Sequence, residues 1–496
     1  MRGNGFIFLS GRLTALAILI VFQVLIVRSL SVGEYARWAL VFALAALMQT
    51  AVSFGIPRLI PKYISQAGLK LSWGAARTLA WQLLLFRLLA TSCLIGVTFG
   101  VLVATGYVQD VDRVFVAVSA VFILVGLVLM DADAMAQALS LQRASRLFTV
   151  AEAGGRLALV GLAAAATNDL TATQVLLISS GTYGLCALAL LRSVFSVLSS
   201  PATVDEARPL DFTEMRQTAF AGYASSMAWF ASSPAVVRVI ASHFLTVATF
   251  AGFAFAQTLV LSFQRYTPGA LIFPFVEPNA MRHYNQTGDQ QRLWRILSLM
   301  VKVDLITIGA AIIGASISGQ EVLDYISGGK HGGFAFAIPL LLVYIMASSV
   351  YRGFETVALS LGVSSVLLRN SALSIAWLLL ALLFADQYGL AALLAFPICD
   401  ALSRLLLVYR SMIKRELKPL IDGPINMTVA LLVALFSIGG VQLREALSLE
   451  QGWSIPLAVC VDLLFGLALL FVRPFRKDEG ELVAGPRIGS AKGFLR

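Results

Sequence analysis

Apolar residues occur along this chain in long runs and not in alternation. The runs fall at about 6–28, 37–60, 79–106, 114–140, 147–167, 174–198, 215–240, 246–275, 296–318, 334–360, 365–386, 388–409, 425–443 and 453–472. Each approaches or exceeds the roughly 20 residues that a helix needs to cross a bilayer. Barrel strands are about 10 residues long and alternate, so they do not explain this pattern. The pattern predicts an all-α polytopic membrane protein with about 14 transmembrane helices. The first run, from Phe6 to Val27, carries Arg12 and no small-residue cleavage site follows it. It is expected to be a retained helix and not a signal peptide.

Composition sharpens this reading. Of 496 residues, 58% are hydrophobic and 13% are charged. A soluble chain carries roughly 25% charged residues. Fourteen spans leave short loops and no room for a large extramembrane domain. The net charge of +10 would suggest nucleic acid in a soluble protein. Here the basic residues stand mostly in short links between apolar runs, which fits cytoplasmic loops beside anionic lipid, with no nucleic-acid partner. Cys93, Cys186, Cys399 and Cys460 all lie in apolar runs without a CxxC pair, so neither a disulfide framework nor a zinc site is expected.

The links also orient the chain. With the N-terminus inside, the outer links carry Arg28, Arg37, Arg113, Arg238, Lys330 and Arg444, whereas the inner links and tails carry about 23 basic residues. That bias predicts both termini in the cytoplasm and an even number of spans.

The two halves echo each other. Leu30-Ser31-Val32 followed by Tyr35-Ala36 and Trp38-Ala39 matches Leu245-Thr246-Val247 followed by Phe250-Ala251 and Phe253-Ala254. Pro57 and Pro61 match Pro274 and Pro278. Six spans per repeat is an even number, so both copies insert the same way up, as parallel repeats related by a pseudo-two-fold axis along the membrane normal. The expected organisation is a six-helix bundle at 1–200, a cytoplasmic linker at 201–214, a second six-helix bundle at 215–418, two extra helices at 419–472 and a basic tail at 473–496. In transporters built this way the substrate site lies at the repeat interface near the midplane.

Charges within spans cost roughly 2.5–3.5 kcal/mol each on insertion scales and need a reason. Glu152 and Arg156, Arg352 and Glu355, and Asp400 and Arg404 stand three or four residues apart, where they either neutralise each other on one helix face or serve transport. Arg12 and Arg87 lie within a few turns of the inner surface and either snorkel or face a cavity. Arg265 is expected near the middle of the eighth span, too deep to snorkel comfortably, as a cavity cation. Asp131 and Asp133 are two apart and point to different sides of one helix, so one of them is a candidate for ion coupling. Unpaired arginines outnumber unpaired acids, which suits an anionic, phosphate-bearing substrate. Trp38, Tyr223, Trp229 and Phe230 either stack on sugar or belong to the core and interface belts. His243, His283 and His331 show no metal spacing. Neither a GxxxxGK[ST] phosphate loop nor an HExxH motif occurs, and no outer loop is large enough for a polymerase active site. The chain is therefore expected not to be an enzyme and to need no cofactor.

Ser10-Gly11-Arg12-Leu13, Leu30-Ser31-Val32-Gly33-Glu34-Tyr35-Ala36, Phe54-Gly55-Ile56-Pro57, Ala270-Leu271-Ile272-Phe273-Pro274 and Tyr388-Gly389-Leu390-Ala391-Ala392 resemble segments of bacterial polysaccharide flippases of the Wzx type. These belong to the multidrug/oligosaccharidyl-lipid/polysaccharide exporter (MOP) superfamily. The resemblance implies a two-lobed bundle in the bacterial inner membrane. It also implies transfer of an undecaprenyl-diphosphate-linked oligosaccharide from the inner to the outer leaflet, for exopolysaccharide, capsule or O-antigen synthesis. A cationic cavity would hold the diphosphate-sugar head, with Arg12, Arg265 and Arg87 matching that role. Expected partners are the lipid-linked oligosaccharide, membrane lipids, and a polysaccharide polymerase with a chain-length regulator. Related drug exporters commonly carry a carboxylate in the first helix, where this chain has Arg12. The alternative is an ion-coupled antiporter of small molecules or drugs on the same scaffold.

Overall fold

The computed structural model describes residues 2–66, 72–104, 112–167, 169–199, 212–230, 233–271, 289–360, 365–414, 423–448, 452–472 and 474–475. The described residues form an all-helical protein, with one isolated parallel bridge between Leu30 and Leu170. Among the described residues, each apolar run of the sequence contains helix. Ten helices among the described residues are long and apolar enough to cross a membrane.

The first half contains α1 (Arg2–Ser29), α2 (Val32–Ala51), α3 (Ile56–Tyr63), α4 (Trp73–Ala104), α5 (Arg113–Ala138), α6 (Gln142–Ala166) and α7 (Ala172–Leu198). Then come α8 (Phe212–Phe230), α9 (Pro234–Phe244) and α10 (Val247–Gln264). The rest is α11 (Gln290–Ser327), α12 (Ala337–Ser360), α13 (Ser365–Tyr388), α14 (Leu390–Ile413), α15 (Gly423–Ala446) and α16 (Ser454–Val472).

Among the described residues, three of the fourteen runs are broken helices. The second run is α2 and α3, joined by a turn in which Phe54 and Gly55 have φ of 41° and 74°. A Cβ on Gly55 would strike the Ala219 backbone in α8. Only glycine combines that close approach with that φ. Pro57 then stands in the first turn of α3, where its missing N–H costs nothing. The seventh run is α8 and α9. Ser233 caps α9, accepting from the Val236 N–H at 3.3 Å, and Pro234 opens the helix. The eighth run is α10, a turn at 265–267 and a resumed helical segment at 268–271 that starts with Pro268.

The two echoed segments are equivalent helix caps. Ser31 accepts from the Glu34 N–H at 3.2 Å and starts α2. Thr246 accepts from the Thr249 N–H at 3.3 Å at the start of α10. Each hydroxyl satisfies a backbone donor that the first helical turn leaves open. Pro274 and Pro278, the other half of the echo, lie outside the described residues.

Two compact units emerge, 1–251 and 252–496. In the first, α3 packs among α4, α5 and α7 through Ile56, Leu59, Ile60, Leu79, Leu83, Met135, Leu190 and Val194. α8 and α9 pack with α3 and α2, so they belong to this unit. In the second, α15 and α16 pack on α11. Gly440 admits Ile317, and Gly309 admits Val433. Small residues let membrane helices approach closely, where lipid offers no hydrophobic drive for association. The opposite face of α15 exposes Met427, Leu431, Leu435 and Ile438, a stripe at helical spacing suited to lipid.

Candidate functional site

The Glu152–Arg156 pair forms as its spacing predicts, on one face of α6. The Arg156 guanidinium also donates to the Tyr183 hydroxyl at 3.0 Å and lies 4.9 Å from the Phe22 ring centre. Asp400 and Arg404 likewise pair at 2.7 Å on α14, both buried. Ser374 of α13 donates to Asp400 at 2.7 Å, and the Arg404 guanidinium stands 4.9 Å from the Tyr351 ring centre. Both pairs keep opposite charges together inside spans, each beside a tyrosine of a neighbouring helix.

Arg87 departs from expectation. Its side chain is fully buried and forms an ion pair with Asp131 of α5. It also donates to the Gln49 carbonyl at the end of α2, at 3.2 Å. Arg87 is therefore not an unpaired cation, and Asp131 is not an unpaired acid. The two are 44 positions apart, so no local spacing in the sequence announces the contact. Asp133 does point elsewhere, accepting from Ser145 of α6 and from Gln137 at 2.7 Å.

Arg265 is displaced too. It stands in the turn after α10, not mid-helix, because the eighth run is interrupted there. Its side chain is exposed. Arg12 is part of α1, and its side chain lies outside the described residues, as does that of Trp229. Arg352 is exposed on α12, with Glu355 half-buried one turn later. Trp38 is core, and Tyr223 donates to the Ala51 carbonyl at 3.2 Å and stacks on Phe54 at 5.4 Å.

At the foot of α3, Lys62 reaches α8. It pairs with Glu214 at 2.8 Å and donates to the Thr218 hydroxyl at 2.8 Å. The Glu214 contact raises the Lys62 pKa.

The structure adds one acid that the sequence reading passed over. Asp304 of α11 is buried, 7% exposed, inside the span Trp294–Ser327. It accepts from the Gly269 N–H at 2.7 Å and from the Ser349 hydroxyl of α12. A Cβ on Gly269 would collide with the carboxylate, so glycine is what lets the backbone reach it. Gln264, Thr267, Met300, Ser349 and Arg352 line a small cavity beside Asp304. The available signal was the pair of charges Lys302 and Asp304 within the apolar run 296–318.

No protein family model matches the chain, and no curated protein matches it. Solved structures do. The lipid II flippase MurJ, in its inward closed conformation, superposes with a TM-score of 0.68 at 10% identity, over 94% of this chain and 99% of that one. The chain has the fold of the MOP-superfamily transporters. An inward-facing multidrug resistance MATE family transporter of the MOP superfamily aligns with a TM-score of 0.59 at 11% identity, over 83% of this chain and 98% of that one. A variant of the Vibrio cholerae MATE transporter VcmN gives 0.52 at 14% identity, over 83% and 96%. With the MOP fold and its apolar helices, the chain is a multi-pass membrane protein.

Proposed function

We propose that this chain is a flippase for undecaprenyl-diphosphate-linked oligosaccharide. It would act in the inner membrane of a bacterium, with both termini cytoplasmic, and supply exopolysaccharide, capsule or O-antigen assembly. The observation that carries the reading is coverage. The MurJ structure accounts for 94% of the chain and the two MATE structures described above for 83%. The difference is about 55 residues, the size of the α15–α16 pair with its preceding link.

The physical chemistry agrees. A diphosphate head cannot cross roughly 30 Å of hydrocarbon unaided, so it needs a polar, basic path. Arginine suits phosphate through bidentate hydrogen bonds. Arg265, exposed in a helix break, is the leading candidate to meet the head, with Arg12 as a second. Arg87, closed onto Asp131, is withdrawn from that role. With the cytoplasm negative, each anionic charge moved outward gains about 2.3 kcal/mol per 100 mV. A polymerase and a chain-length regulator would take the product.

The test is transfer of a fluorescent lipid-diphosphate oligosaccharide across proteoliposomes bearing the native chain or Arg265→Ala. Transfer by the native chain that falls at least about tenfold in the variant supports the reading. A tenfold loss corresponds to about 1.4 kcal/mol of binding. Efflux of small drugs with no transfer of any lipid-linked glycan would favour the antiporter reading, for which the MATE likeness speaks.

A further inference from the structure

A second cavity lies in the hairpin of α13 and α14. It holds about 330 Å³ of space open to a water-sized sphere, and its walls are almost wholly apolar. The turn sets it up. Tyr388 ends α13, Gly389 alone makes the link, and Leu390 opens α14. Gly389 takes φ 49° with ψ −123°, a conformation that glycine reaches without strain and other residues do not. From α13 come Trp377, Phe384 and Tyr388, at spacings of seven and four that put all three on one face. α14 answers with Ala391, Ala392 and Ala395. Methyl groups are too short to fill the room beside the rings. Trp377 is held in place, because its indole N–H donates to Ser403 of α14 at 2.9 Å.

The surroundings decide what fills this space. Its mouth lies between Leu380, Phe384 and Tyr388, all exposed. Leu379 and Leu383 of α13 and Leu402 and Leu406 of α14 are exposed as well, within the apolar helices Ala372–Tyr388 and Leu390–Ile413. In a multi-pass membrane protein such side chains meet lipid. Apolar cavities stay dry and take apolar guests. With the indole N–H already used by Ser403, a sugar or a diphosphate finds little to bond. A membrane helix, about 10 Å across, is too wide for the space. A single hydrocarbon chain is not.

Depth selects the kind of chain. The lining runs along α13 from Tyr388 at the turn to Trp377, about 16 Å at 1.5 Å per residue. One leaflet supplies half of the roughly 30 Å of hydrocarbon in a bilayer. Tyr388 stands exposed at the turn, where a tyrosine suits the headgroup level. The cleft therefore reaches from that level to the midplane, as an acyl chain of one leaflet does. An undecaprenyl chain is far longer.

We propose that this cleft seats one acyl chain of a bilayer phospholipid, packed between α13 and α14 as a resident part of the fold. The seat does not depend on what the chain transports.

The test titrates the delipidated full chain, in detergent, with phosphatidylglycerol brominated on its acyl chains. Bromine quenches tryptophan on contact, and the Trp377 share is the native signal minus that of Trp377→Phe. That share should be quenched in a saturating step at one lipid per chain. Tm should rise by several degrees over the same step, since a ligand held only by the folded state stabilises it. Ala395→Leu fills the space with its own side chain and should lose both responses while staying folded. Should Ala395→Leu not fold, Ala392→Val narrows the same cleft and should raise the lipid needed for half-quenching at least about threefold. Quenching that climbs with lipid without a step overturns the proposal, as does a step unchanged in folded Ala395→Leu or in Ala392→Val. A step given by a brominated polyprenyl phosphate and not by phosphatidylglycerol also overturns it and hands the cleft to isoprenoid chains. No quenching of Trp377 by either lipid overturns it too, and leaves the cleft to side chains of another protein.

Discussion

Between the third and fourth spans of the first unit, Arg87 of α4 and Asp131 of α5 close on each other. In the second unit, Asp304 of α11 accepts from the Gly269 amide and the Ser349 hydroxyl, with no ion pair among the described residues. One interface carries a neutral pair with both charges buried, and the other carries an acid beside a cavity. The first arrangement needs nothing from outside. The second holds its carboxylate with two neutral donors. The difference is local, because the second unit also contains a closed pair, Asp400 with Arg404.

The largest effect should come from breaking the closed pair. Arg87→Ala leaves Asp131 buried and uncompensated, which costs about 3–5 kcal/mol. Loss of folded protein, read by detergent melting, is the expected outcome, and the double variant Arg87→Ala/Asp131→Ala should recover most of it. A single variant as stable as the native chain would show that the pair is not what holds α4 to α5.

Next is Gly55→Ala. It places a Cβ against the Ala219 backbone at a φ of 74°. Strain of this kind costs about 1–3 kcal/mol, and melting temperature should drop accordingly. Asp304→Asn should cost less, about 1–2 kcal/mol, because it weakens hydrogen bonds from two neutral donors and strands no opposite charge. If it destabilises as much as Arg87→Ala, the contrast between the two interfaces fails.

The smallest effect is at Lys62. An ion pair this exposed is worth less than about 1 kcal/mol, so Lys62→Met should barely move the melting point. Its raised pKa gives the sign. The contribution is fully present below the ordinary lysine pKa of about 10.4 and fades as pH rises through the higher folded value. A native-minus-variant stability difference that grows above that pH would contradict the assignment.

Much of this was legible in the chain. Among the described residues the fourteen apolar runs all contain helix, and the pairs Glu152–Arg156 and Asp400–Arg404 followed from a four-residue spacing, since residues one turn apart share a face. The breaks were harder to read. Gly55-Ile56-Pro57, Ser233-Pro234 and Pro268 all carried turn signals, but each lay in continuous apolar sequence, and hydropathy alone does not register a change in backbone direction. Placing Arg265 within a continuous helix followed from missing such a break. Helix ends were also underestimated: α11 runs on to Ser327, past the apolar run, where Glu321 receives the Gly452 N–H. The contact between Arg87 and Asp131 and the cradle around Asp304 depend on residues 44 and 35 positions apart. Only the fold brings them together.

The most direct measurement compares both interfaces in one assay. Proteoliposomes carrying equal amounts of folded native chain, the neutralised pair Arg87→Gln/Asp131→Asn, or Asp304→Asn would be scored for transfer of a lipid-diphosphate oligosaccharide, with and without an ion gradient. The neutralised pair, once folded, is expected to keep gradient-stimulated transfer within about threefold of native, roughly 0.65 kcal/mol. Asp304→Asn should lose the stimulation. Stimulated transfer that survives in Asp304→Asn and vanishes in the neutralised pair would place the working charge in the first unit and contradict the account.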